Sequence, residues 1–455
     1  MTDAPKRQMK LGVFANPTGN HVASWRHPDA QADAGVNFAH YAEIAQSAER
    51  AKFDMIFLSD NICVREAKME ALSRSAQYVA NFEPLTLLSA LSVVTSRIGL
   101  VATASTSYNE PYHVARKFAS LDHLSQGRAG WNLVTSALGA EAPNFGRETH
   151  FDHRERYLRA HEFATIVTGL WDSWDDDAFV RDKESGRFFT PDALHTLNHK
   201  GEFFSVKGPL NVARTPQGWP VIVQAGGSED MMAVAAEFAE VIFCAPLTFE
   251  AARTFYDKIK GHAASRSRSA DTMKILPGLA PIVGRTDAEA AEKVRHLESL
   301  THPVVALEIL STILGGIDFS GYDIDAPFPD DLPATTNASQ YVYASAQELA
   351  RSENLTLREV ALRMAGARGK NVVTGTPKQI ADMMEEWFEG GAADGFNILP
   401  SHFPGGLNDF VEMVVPELQR RGLFRTEYEG TTLRENLGLA RPGNRYVEQL
   451  TPIAV

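Results

Sequence analysis

Cysteine is nearly absent from this sequence: Cys63 and Cys244 are the two in 455 residues. Two thiols cannot build a disulfide framework for a chain this long. They suit a reducing compartment, so the cytoplasm is the expected location. Long apolar runs are missing too. No stretch approaches the ~20 consecutive apolar residues that span a bilayer. The N-terminal MTDAPKRQMKLGVF lacks the apolar core and small-residue cleavage site of a secretory signal. Positive charge is not in excess either: 44 Lys and Arg face 57 Asp and Glu, for a net charge of −13. That balance argues against nucleic acid or an anionic membrane as the main partner, though a local pocket for an anion is compatible with it.

Several catalytic signatures are also missing. There is no GxSxG elbow for a nucleophilic serine, no GxGxxG dinucleotide turn and no GxxxxGK[ST] phosphate loop. The pairs His150/His153 and His195/His199 fall in no HExxH pattern, and no Cys or carboxylate completes a ligand spacing. No metal site is expected.

What the chain does have is alternation. Short apolar runs begin at LGVFANP (11–17), MIFLSD (55–60), IGLVATAST (98–106) and RAGWNLVTS (128–136). They continue at PVIVQAG (220–226), VIFCAP (241–246), ILPGLAPIVG (275–284) and GFNILP (395–400). Helical patterns separate them. Uniformly apolar runs suit parallel strands covered on both faces. Eight strand–helix units in order predict an α/β fold, a (β/α)8 TIM barrel with insertions forming one domain over residues 1–455. An open doubly wound sheet is the alternative. Residues 175–219 read as surface hairpins, and 301–372 as a second insertion with a helix around 344–368. The tail, 423–455, is polar and is expected to wrap a neighbour or the outside of the barrel.

Barrel chemistry sits at strand C-termini. There the sequence places Asp60-Asn61, then Thr103, Ser105 and Thr106, then Asn132, Thr135 and Ser136, and Gln224 followed by Gly226-Gly227-Ser228. His21 and His27 occupy the loop after the first strand, and Ser401-His402 follow the last. Each has a plain structural reading: Asp60 as a cap, Asn132 as a partner for backbone groups, His21 as an ordinary loop residue. Recurrence of hydrogen-bonding side chains at the same end of five strands is harder to explain by packing alone. Within VIVQAGGSED the glycines precede a helix, so they serve either a tight turn or an anion on the helix N-terminus. His153 and Tyr157, four apart, share a helical face and could form a polar wall beside a ligand.

Taken together, KFDMIFLSDN, GLVATAST, EPYHVARKFASLDHLSQGRAGWNLVTS, NFG, HRERYLRAHEF, PQGWPVIVQAGGS and EGGAADGFNILP resemble the nitrilotriacetate monooxygenase/dibenzothiophene-sulfone monooxygenase group of bacterial luciferase-like flavin monooxygenases. The likeness covers residues 8 to 440. It implies a (β/α)8 barrel that binds reduced FMN (FMNH2) supplied by a separate NAD(P)H:flavin reductase. It further implies reaction with O2 to a flavin peroxide that oxygenates a small organic substrate, such as a sulfone or an aminopolycarboxylate. Carried over by motif, Asp60, Thr103, His153, Tyr157, Gly227 and Ser228 would bind the flavin, with Asn132 near its ring. The GGS turn would then hold the phosphate. His21 is the expected proton-handling residue, and 61–83 and 301–372 the expected lids. Relatives of this kind are commonly homodimers or homotetramers. An F420-dependent oxidoreductase on the same barrel, or a non-catalytic flavin-binding protein, are the competing readings.

Overall fold

The computed structural model describes residues 7–330, 332, 340–367 and 371–448. Eight parallel strands close on themselves: β1 Lys10–Phe14, β2 Met55–Leu58, β3 Gly99–Ser105, β4 Ala129–Val134, β5 Val221–Ala225, β6 Val241–Cys244, β7 Lys274–Val283 and β8 Gly395–Ile398. Each pairs with the next, and β8 pairs with β1, which completes the barrel. Closure satisfies the hydrogen bonds that an open sheet would leave at two edges. The open-sheet alternative is thereby excluded. All eight strands fall where the apolar runs predict them.

Alternation along the strands sorts the core into two layers. Outward residues, among them Ile56, Leu58, Leu100, Ala102, Trp131 and Ile222, pack on the surrounding helices. Inward residues Met55, Phe57, Val101, Val221, Val223, Val241, Phe243 and Leu276 fill the barrel interior. The helices that cover the outside include α1 Phe38–Arg50, α2 Pro84–Leu91, α3 Pro111–Leu124, α4 His153–Trp171, α5 Glu229–Phe238, α6 Phe249–Ser265 and α7 Pro377–Glu389. A further helical stretch, residues 405–420, carries a π-helical turn at Phe410–Val414.

Three elements differ from the sequence reading. The pattern around α2 suggests a helix to residue 97, but α2 stops at Leu91. The buried Arg128 guanidinium takes the carbonyls of Ser92, Thr95 and Ile98 at 2.8–3.1 Å, so the chain there is spent on side-chain hydrogen bonds. The helix expected at 344–368 is two, Gln340–Glu353 and Leu357–Ala367. They are split at Asn354, held at φ +52°, and restarted where the Glu359 carboxylate accepts from the Thr356 amide at 2.8 Å. A short strand at Val372–Gly375 also lengthens the sheet beside the outer end of β7. Within 175–219 the expected hairpin is short, His199–Lys200 against Ser205–Val206.

The tail does not simply run over the outside. Leu433, Leu437 and Leu439 join the interior cluster at the N-terminal ends of the strands and seal that end. Glycine makes room for them: a Cβ on Gly99 would stand 2.4 Å from Leu433 Cδ1. Buried ion pairs fasten the tail on either side, Arg425 to Asp54 at 2.6 Å and Arg434 to Glu240 at 2.9 Å. Residues 449–455 of the expected tail lie outside the described residues. Leu433→Ala is expected to destabilise the protein by about 2–5 kcal/mol, the usual cost of emptying a buried leucine site. Urea denaturation checks this against Glu427→Ala, whose side chain is 80% exposed; an unchanged midpoint for Leu433→Ala would remove the tail from the core.

Candidate active site

At the opposite end of the barrel, the strand C-termini surround a cavity of about 550 Å³. Its apolar surface includes Phe14, Phe57 and Phe243. The Phe57 ring centroid lies 4.9 Å from that of Phe14 and 4.7 Å from that of Phe243. Above these rings the inward positions turn polar: Thr103 and Ser105 follow Val101 on β3, Asn132 faces in from β4, and Asn397 from β8. Gly12, the register partner of Asn397 on β1, leaves it space, while Gly278, its partner on β7, makes room for Leu399. A Cβ on Gly12 would stand 3.1 Å from Asn397 Oδ1.

A chain of hydrogen bonds fixes which way Asn132 points. The Thr103 hydroxyl donates to the Leu58 carbonyl at 2.9 Å, so its oxygen can only accept from Asn132, whose Nδ2 lies 2.8 Å away. The Asn132 amide oxygen is left facing the cavity. It receives no hydrogen bond from the described residues, and neither do Gln224 Oε1 or Asn397 Oδ1. Three amides, each no more than 3% exposed, thus present unsatisfied acceptors around one space. Buried acceptors of this kind are costly unless a ligand or water supplies donors. A planar heterocycle with ring N–H groups above aromatic side chains fits that demand.

The second constellation lies at the start of α5. Ser228 caps it, its hydroxyl oxygen accepting from the Met231 amide at 3.2 Å. Ser228 Oγ in turn donates to the Tyr157 hydroxyl at 3.4 Å. His153 stands beside Tyr157, ring centroids 5.0 Å apart, and pairs with Asp230 at 3.0 Å. Gly226 has φ +136°, a conformation reserved for glycine. Gly227 does not, and a Cβ there would meet only Phe255, at 3.7 Å. The turn explains Gly226; protein packing does not explain Gly227, which leaves bare backbone beside the helix N-terminus. The acids of that first turn are engaged, Asp230 by His153 and Glu229 by Lys258.

Of the expected residues, Asp60, Thr103, Asn132 and Tyr157 line the cavity, and Gly227, Ser228 and His153 gather at its α5 edge. His21 does not reach it. It lines a separate cavity of about 120 Å³, in which Leu399 is the residue shared with the first. Its Nδ1 accepts the Ala23 amide at 3.2 Å. None of the described residues of 301–372 lines the main cavity, and the 61–83 loop contributes Asn61 and Ile62. Asn397 and Glu141 were missed by sequence reasoning. A lone Asn inside the apolar run GFNILP was the available signal for Asn397.

Among the described residues, His27, Asp29 and His402 bring possible metal-ligand atoms within 4.8 Å of one another. The His27 and His402 rings stack face to face at 3.7 Å and 23°, so their in-plane lone pairs do not converge on a point. Burial, with His27 beside it, holds the His402 imidazole down at about 4.

Asp60 is a titratable group in the cavity wall. Burial first, then the neighbouring Glu83 and Glu141 carboxyls, push it up to about 6. With the folded value above the unfolded one, the native state is penalised as pH rises from about 4 through 6 and keeps that penalty above. Asp60→Asn is therefore expected to stabilise the ligand-free protein by roughly 1–3 kcal/mol at pH 8. The gain should vanish near pH 4, and thermal melts at the two pH values check it.

The chain matches the Luciferase-like monooxygenase family over residues 10–394. It is 53% identical over 444 residues to N-acetyl-S-(2-succino)cysteine monooxygenase of Bacillus subtilis, covering 97% of this chain and 99% of that one. It is 50% identical to nitrilotriacetate monooxygenase component A of Aminobacter aminovorans, covering 96% and 98%. Among solved structures, DmoA from Hyphomicrobium sulfonivorans superposes with a TM-score of 0.85 at 33% identity, covering 94% and 92%. Riboflavin lyase, solved with modified FMN and riboflavin, superposes at 0.83 and 32% identity, covering 96% and 97%. A closed barrel with a polar mouth at its strand C-termini, matched along nearly its whole length by such relatives, belongs to the luciferase-like monooxygenases.

Proposed function

We propose that this protein is the oxygenating component of a two-component system. It takes reduced FMN from a separate NAD(P)H:flavin reductase and uses O2 to oxygenate a small organic molecule. The observation that carries the reading is the convergence of three unsatisfied amide oxygens above aromatic side chains, next to a glycine–serine helix start. Names in the family support it: a relative called component A has a partner component, and riboflavin lyase was solved with a flavin.

The residues divide the cofactor between them. Gly227 and Ser228 would hold the phosphate with backbone N–H groups, the serine hydroxyl and the positive end of α5. Tyr157 and His153 would add donors from α4. Asn132, oriented by Thr103, would accept a ring N–H, with Gln224 and Asn397 as further acceptors. Held there, the reduced flavin supplies the electrons that activate O2. The protein's share is to bind, orient and exclude water; Phe14, Phe57, Phe243 and Leu399 supply the dry wall. The Cys244 thiol, pushed up to about 12 by burial, is no nucleophile at this wall.

Proton handling moves from His21 to Asp60 in this reading. Asp60 lines the cavity and titrates near neutrality, as a general acid or base should. His21, in the adjoining cavity beyond Leu399, shapes the approach instead.

Ser228→Asp is expected to weaken FMNH2 binding at least tenfold, about 1.4 kcal/mol, by setting a carboxylate against the phosphate. Asn132→Leu should weaken it while preserving the fold. Anaerobic titration followed by oxygen uptake with candidate substrates measures both; unchanged affinity in Ser228→Asp would remove the phosphate from α5.

A further inference from the structure

The cavity has a second polar end, between the strand ends of β2 and β4, that the flavin reading does not use in full. Ser59, Asp60, Asn61, Ser136 and Glu141 line it. Glu141 belongs to the 3-10 segment Gly139–Phe145 and is 3% exposed. Burial pushes the Glu141 carboxyl up against the opposing pull of Ser136 and Arg156, and its Oε2 receives no hydrogen bond from the described residues. Ser136 is held at φ +55°, a left-handed conformation that a serine keeps only where its surroundings impose it. Its hydroxyl is further fixed by Ser105 Oγ at 2.6 Å. Glu141 Oε2 is therefore left for an occupant.

The ionisable side chains that line this end, Asp60 and Glu141, are acidic. Glu83 and Glu141 both act on Asp60. No Lys, Arg or His side chain lines the cavity among the described residues. Arg156 acts on Glu141 through space; its Nη1 donates to the Ser136 carbonyl and lies 3.2 Å from His150 Nε2, while its Nε has no hydrogen-bond partner among the described residues. A carboxylate entering here would meet two like charges. A cationic donor would satisfy the open oxygen and offset both.

We propose that this end of the cavity is a recognition site for a protonated amine on the molecule to be oxygenated, with Glu141 accepting its N–H and Asp60 supplying the second negative charge. The inference rests on the flavin reading, since it places the amine beside the cofactor. Glu141 then sets which molecules bind, without holding the flavin.

The test uses the full chain loaded with oxidised FMN and three probes of equal length: n-butylammonium, n-butanol and butyrate. Calorimetry and the visible flavin spectrum read binding. Butylammonium is expected to bind at least tenfold tighter than butyrate. Glu141→Gln should reduce butylammonium affinity at least tenfold and leave butanol affinity and FMN affinity within twofold. Retained FMN binding shows that the variant folds, and Glu141→Asp should recover part of the amine affinity. The proposal is overturned if butyrate binds as tightly as butylammonium, if butylammonium does not bind, or if Glu141→Gln leaves its affinity unchanged. Failure of the wild type to bind FMN would instead sink the flavin reading, and calorimetry on the ligand-free protein would still decide the amine site.

Discussion

Burial of apolar side chains inside a closed ring of strands is the constraint on which the rest of this molecule depends. Met55, Phe57, Val101, Val221, Val223, Val241, Phe243 and Leu276 cannot fill the barrel to both ends. At one end the tail completes the core with Leu433, Leu437 and Leu439. At the other the packing stops and polar inward residues take over. The site exists because β3 carries Val101 below and Thr103 and Ser105 above, while β4 and β8 carry glycine below and Asn132 and Asn397 above. Period-two alternation puts both sets on the same inner face.

Within the site, direction comes from hydrogen bonds that are already committed. Thr103 gives its proton to a strand carbonyl, so Asn132 must offer its amide hydrogens to Thr103 and its oxygen to the cavity. Nothing in that arrangement has to reorganise when a ligand with ring N–H groups arrives, which is the meaning of preorganisation. Glycine plays the complementary part. Gly12 spares Asn397, and Gly227 leaves backbone exposed where a bulkier residue would cover it.

The sequence made the barrel legible because each strand is a short apolar run bounded by helix, a signal that is local. It also exposed the strand-end residues Asp60, Thr103 and Asn132, since position along a strand fixes the end at which a residue lies. What it could not reveal depends on contacts distant in the chain. The sealing role of Leu433 is written in Gly99, 334 positions earlier (433 − 99). The strand at 372–375 is half-exposed and too short to register as a pattern. His21 was placed by its loop alone, and its side chain packs beside Gly366 of the insertion, outside the main cavity. Glu141 looked like one acid among many until its neighbours were assembled around it.

The leucines that seal the barrel follow all eight of its strands in the chain. While the ribosome is still adding residues up to 439, the ring of strands has an open floor, and β8 itself joins only after the long segment that follows β7. Closing the barrel must therefore wait until residue 439 has been made. A truncated product would carry a nearly whole set of strands with an apolar well exposed at its base, the kind of surface that chaperones and proteases are built to find.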